Sequence, residues 1–135
     1  MSRSQRDKGQ RGERELAHEL SELLGTAVER RVRNKEGDND LVGVKGWSVE
    51  CKRTKALELP KWWRQTIEQA KSASEWPVLF YRLDGKKWRA VWPLAALLFN
   101  SLDDVSEPWF YLEMTAETSL EGWAAVYRER LGVTK

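Results

Sequence analysis

Asp40, Glu50 and Lys52 fall within residues 37–53, G-D-N-D-L-V-G-V-K-G-W-S-V-E-C-K-R. Two carboxylates converging on one point make a hard, oxygen-rich site suited to Mg²⁺, with Mn²⁺ able to substitute. A lysine beside them can position or activate a water and offset charge building on a phosphoryl oxygen. Metal-assisted hydrolysis of a phosphodiester requires that combination. In a chain that is 33% charged, an E-x-K triplet is also what an ordinary solvated strand face looks like. Asp38 is a substitute ligand should Asp40 point away.

The elements must bring these groups together. Residues 41–44 and 47–49 are short apolar runs joined by Lys45-Gly46, the pattern of a β-hairpin. Alternation along the second run puts Glu50 and Lys52 on one face. Pairing Val44 with Ser48 would bring Asp40 opposite Lys52 on that face, which requires a three-residue or bulged connection around residues 45–47. A strict two-residue turn would send Asp40 to the other face.

Before the hairpin, Leu16, Ala17, Leu20, Leu23 and Leu24 follow helical spacing over residues 12–24, with Gly25 as the stop. Glu13 sits one turn before Leu16, at the open end of the apolar stripe, where it would point towards the two acids. A glutamate in a first helical turn also simply complements the helix dipole. Residues 1–8 are polar and expected to fray. Residues 27–32 suggest an edge strand and 33–38 a loop. Arg30, Arg31, Arg33 and Lys35 would grip phosphates there, or merely guard the strand edge with charge.

After the hairpin, Pro60 suits the first turn of a helix packed through Trp63, Ile67 and Ala70. Adjacent helical positions diverge, so one of Trp62 and Trp63 is expected in the core and the other exposed or at an interface. Residues 78–83 and 87–92 flank Asp84-Gly85, a strong hairpin signal. A short helix over 93–99, a connector over 101–108, a strand over 109–114 and a helix over 119–131, ended by Gly132, complete the order. Residues 101–135 carry no recognisable chemistry, and their tryptophans are expected in a core or subunit interface. The lone His18 falls on the exposed side of its helix and can build neither a metal cluster nor a triad.

Lys8-Gly9 with Glu13-Arg14-Glu15-Leu16, then Asp40-Leu41-Val42, then Val49-Glu50-Cys51-Lys52 resemble the archaeal-type Holliday junction resolvases, of the PD-(D/E)xK nuclease superfamily, which has small phage-encoded relatives. The resemblance implies that Glu13, Asp40, Glu50 and Lys52 form the catalytic and metal-binding set. It also implies that the main-chain carbonyl of Cys51 completes the metal shell and that Arg14 lies beside DNA. Arg11, Arg53 and Lys55 join the expected DNA-binding set. Gln69 resembles an auxiliary glutamine that many superfamily members carry after the E-x-K strand, or is a surface helix glutamine. The chain departs from the pattern in its short spacing between Asp40 and Glu50, and its arginine run leaves open which arginine matches the family's DNA-contacting one.

The 135 residues, 41% hydrophobic, suit one domain with its own core. The net charge of +2 hides basic stretches at residues 1–14 and 29–35 and an acidic one at 103–121. The single Cys51 excludes an intramolecular disulfide and suits a reducing cytoplasm. No apolar run approaches a membrane span, and the N-terminus does not look like a signal peptide.

The element order predicts an α/β, restriction-endonuclease-like fold with a central mixed β-sheet flanked by helices. The expected activity is Mg²⁺-dependent endonucleolytic resolution of four-way DNA junctions. Two symmetry-related strands must be cut, which predicts a homodimer with spare tryptophans at its interface. The alternatives are a flap, repair or restriction nuclease on the same core, or a DNA-binding module without catalysis.

Overall fold

The central sheet is built around a parallel pair. In the structure, a computed structural model describing residues 3–31 and 40–131, β3 (Trp47–Thr54) lies parallel to β4 (Trp76–Leu83), with Glu50 beside Leu79 and Lys52 beside Tyr81. Parallel neighbours need a crossover, and the helix between them supplies it. The Asp84-Gly85 turn, with Gly85 at φ +74°, folds β5 (Arg89–Pro93) antiparallel onto β4. Then β6 (Thr115–Thr118) pairs with β5, giving the order β3-β4-β5-β6. The expected mixed sheet flanked by helices is present.

Helices cover the two faces differently. On one face Val49, Cys51, Val78, Phe80, Ala90 and Trp92 pack with α1 (Arg3–Leu24) and α4 (Leu120–Leu131), through Leu16, Leu20, Trp123 and Tyr127. Trp123 is fully buried, edge-on to Phe80 and Trp47 with ring centroids 5.0 and 5.6 Å away. On the other face Leu79, Tyr81 and Val91 meet α2 (Leu59–Ala73). Glu50 and Lys52 share that second face, so α2 runs alongside the candidate chemistry.

Several boundaries differ from expectation. The first helix begins at Arg3 rather than Gly12, and within it Lys8 is paired with Asp84 at 2.8 Å. The strand expected over 27–32 is seen as β1 (Glu29–Arg30), antiparallel to β2 (Leu41–Val42). Residues 109–114 form 3₁₀ turns, Glu107–Phe110 and Leu112–Met114, instead of a strand. Pro108, which has no N–H to give a ladder, opens that stretch, and i→i+3 bonds such as Tyr111 N–H to Pro108 O continue it. The helix expected over 93–99 shrinks to α3 (Ala95–Leu98).

The sheet and these turns between them bury both tryptophans of α2. Trp62 lies against Tyr81 on the sheet, and the indole N–H of Trp63 donates to the Phe110 carbonyl at 2.8 Å. The expected division into one buried and one exposed ring is therefore wrong. Seven of the eight tryptophans are at most 6% exposed, and the eighth, Trp109, is partly buried against Phe99. Among the described residues no helix is long and apolar enough to cross a membrane.

Candidate active site

The hairpin that carries Asp40 forms differently from the sequence expectation. Trp47 N–H bonds Val44 O at 3.2 Å across a tight two-residue turn, the geometry expected to send Asp40 to the wrong face. The chain recovers at Gly43, whose φ of +106° bends the first limb. A Cβ at Gly43 would lie 2.3 Å from the Ala27 carbonyl oxygen, so only glycine makes this bend. Below it Asp40 N–H bonds Val49 O at 3.0 Å, so the first limb advances four residues while the second advances two. Asp40 therefore sits against Val49–Cys51 instead of opposite Lys52, and the irregular step lies at Gly43, not around residues 45–47.

The displaced register still joins the acids. Asp40 Oδ2 accepts from the Cys51 N–H at 2.7 Å, and its carboxyl is hydrogen-bonded to that of Glu50. Both are buried, at 9% and 5% exposure. Burial first, then the hydrogen bond to Glu50 and its charge, push the Asp40 carboxyl up to about 9, against the opposing Cys51 N–H and Lys52. Two buried carboxylates in contact do not both ionise without a cation to offset them. A strand residue directs its N–H and C=O to the same edge, so the Cys51 carbonyl also faces the Asp40 side. Its thiol is buried on the opposite face and held protonated by burial.

Gln69, on α2, donates from Nε2 to Glu50 Oε2 at 3.1 Å. Its Oε1 is buried and has no donor among the described residues. Glu13 reaches the same place from α1, its carboxyl raised by burial and then by the Asp40 charge, while Arg30 Nε–H holds it at 2.8 Å. Arg30 is thus paired with an acid of the site. An open cleft of about 710 Å³ is lined by Glu13, Asp40, Glu50, Cys51 and Lys52, together with Arg30, Arg31, Arg53 and Lys55.

Not every expected residue lines it. Arg11 and Arg14 are exposed on α1 outside the cleft lining, although Arg14 is near enough for its charge to lower the Glu13 carboxyl. Arg33, Lys35 and Asp38 lie outside the described residues. Lys8, which opens the first motif, lines the cleft, as do Arg6 and Lys61, which the sequence reading does not single out. Arg6 precedes Glu13 by two helical turns and Lys61 precedes Gln69 by just over two, so helical spacing pointed to both.

Among the described residues no three acidic, histidine or cysteine side chains form a ready-made metal cage. The residues nevertheless fit a hard divalent cation. The Asp40–Glu50 pair is all oxygen and repels itself despite the nearby Lys52 charge, and Gln69 Oε1, without a donor among the described residues, is one more oxygen beside it.

Comparison with known proteins places the chain. No curated protein matches it. Among solved structures it is similar to the Archaeoglobus fulgidus Holliday junction resolvase Hjc, at 23% identity and a TM-score of 0.49, over 90% of this chain and 88% of that one. A family model described as "Phage putative PDDEXK endonuclease" matches residues 4–128, spanning α1, the Asp40 and Glu50–Lys52 motifs and most of α4. With so much of its length matched, the chain belongs to this phage PDDEXK endonuclease family.

Proposed function

We propose that this protein is a metal-dependent endonuclease that hydrolyses phosphodiester bonds in DNA, with the four-way junction as its substrate. The observation that carries the chemistry is the buried Asp40–Glu50 pair, braced by Gln69 and open to a cleft that contains Lys52. Asp40, Glu50 and the Cys51 carbonyl are the groups that would hold Mg²⁺ or Mn²⁺. Such an ion supplies positive charge at the scissile phosphoryl oxygen and acidifies bound water. Lys52 positions the attacking water and offsets charge developing on the phosphoryl group. Gln69 fixes the Glu50 carboxylate so that it does not rotate away. Glu13, steadied by Arg30, assists from the helix side. Arg31, Arg53 and Lys55 on the cleft wall bind the strand through its phosphates.

The junction preference is supported by the three-motif resemblance to archaeal-type resolvases. Paired cuts require two such sites, so the working form is a homodimer. Labelled four-way junction, duplex, flap and single strand incubated with Mg²⁺ test the proposal. Paired symmetrical nicks in the junction alone are expected. Cutting of duplex or flap instead would keep the chemistry and replace the substrate. A junction that binds and stays intact in both Mg²⁺ and Mn²⁺ would overturn the catalytic reading in favour of a binding module.

A further inference from the structure

Lys8 and Arg53 both line the cleft, and both donate to one carboxylate. Lys8 Nζ lies 2.8 and 2.9 Å from the two oxygens of Asp84, and Arg53 Nη1 bonds Asp84 Oδ1 as well. A carboxylate and a phosphate diester present the same kind of anionic oxygen to such donors. We propose that Lys8 and Arg53 form a binding site for a DNA backbone phosphate, occupied in the free protein by the Asp84 side chain. The identity of the polyanion rests on the nuclease reading above.

The cations belong to the framework, and the carboxylate is the exposed partner. The Lys8 and Arg53 side chains are 30% and 19% exposed, against 44% for Asp84. Arg53 has a fitted seat: a Cβ on Gly12 would fall 2.5 Å from the Arg53 Cβ, so the missing side chain of α1 makes room for its stem. Arg53 follows Lys52 directly, which puts the site next along β3 from the candidate chemistry. Asp84 is delivered by the β4–β5 turn, whose N–H at Asp84 bonds Thr54 O at 3.2 Å. Its carboxyl is held below the usual range by Lys8 and then Arg53, so it stays charged and competes with incoming phosphate. Exposed pairs of this kind add little stability, so losing this one leaves the fold intact.

Counting phosphate contacts by salt dependence tests the site. Junction binding is measured without divalent metal, across a salt series, for wild type, Asp84→Asn, Asp84→Asn with Lys8→Gln, and Asp104→Asn. Asparagine before Gly85 suits a tight turn, so Asp84→Asn keeps the hairpin. Asp104 is an exposed acid outside the cleft lining, and its variant controls for net charge. Asp84→Asn is expected to bind about three- to tenfold more tightly, with the log–log salt slope steeper by about 0.9 to 1.8. Adding Lys8→Gln should return about 0.9 of that slope, and Asp104→Asn should leave it unchanged. Junction binding by Asp84→Asn that matches wild type or is weaker, at unchanged slope, would overturn this site and leave the nuclease reading standing. Failure of wild type to bind any junction would overturn both.

Discussion

Glu50 would be a poor ligand without Gln69, because a buried carboxylate free to turn presents no fixed geometry. The 3.1 Å bond from Gln69 orients it, and outer partners of this kind govern metal affinity. Gln69→Ala is expected to weaken Mg²⁺ binding by about 10- to 100-fold, measured as the metal concentration for half-maximal cleavage. Gly12 makes a different demand, since Arg53 lies where its side chain would be. Gly12→Ala should therefore lower stability by about 1–3 kcal/mol, read from the denaturation midpoint. Glu50 and Lys52 were legible in the sequence because strand alternation is local. The position of Asp40 was not, because it hangs on the φ of +106° at Gly43, and a glycine in a sequence does not announce which way it turns.

The least legible element is the stretch after α3. Its aromatic residues at 109–111 suggest a strand, yet Pro108 and the i→i+3 bonds that follow wind it into 3₁₀ turns. That change of shape matters to the site indirectly, because the turns press on α2, which carries Gln69. Trp63 is the pin between them, through its bond to the Phe110 carbonyl. Trp63→Phe keeps most of the apolar ring and leaves that carbonyl without its donor, so it should cost about 1–3 kcal/mol in chemical denaturation. The crossover helix and the Asp84-Gly85 hairpin were read correctly, since proline, glycine and apolar spacing mark such elements directly. The first helix extends further than the sequence suggests because polar residues 3–11 offer no apolar stripe, and the Lys8–Asp84 pair is a tertiary contact.

At the scale of the molecule, the mixed sheet carries Glu50 and Lys52 on β3, the residue leading into β2 sets Asp40 against that strand, and α1 and α2 frame the cleft. Seven of the eight tryptophans expected to be partly spare for a dimer interface are buried within this chain. The proposed homodimer therefore draws mainly on other surface. Light scattering at micromolar concentration should give twice the chain's 15.7 kDa mass; a strictly monomeric mass would remove the two-site account of paired cutting. The central claim is that the cleft is catalytic through Lys52 beside the carboxylate pair. Its most direct test is single-turnover cleavage of a labelled four-way junction in Mg²⁺ by wild type and Lys52→Ala, with junction affinity measured in parallel. The account predicts cleavage by wild type, loss of at least about a hundredfold in rate for the variant, and nearly equal binding. Full activity in Lys52→Ala would contradict it.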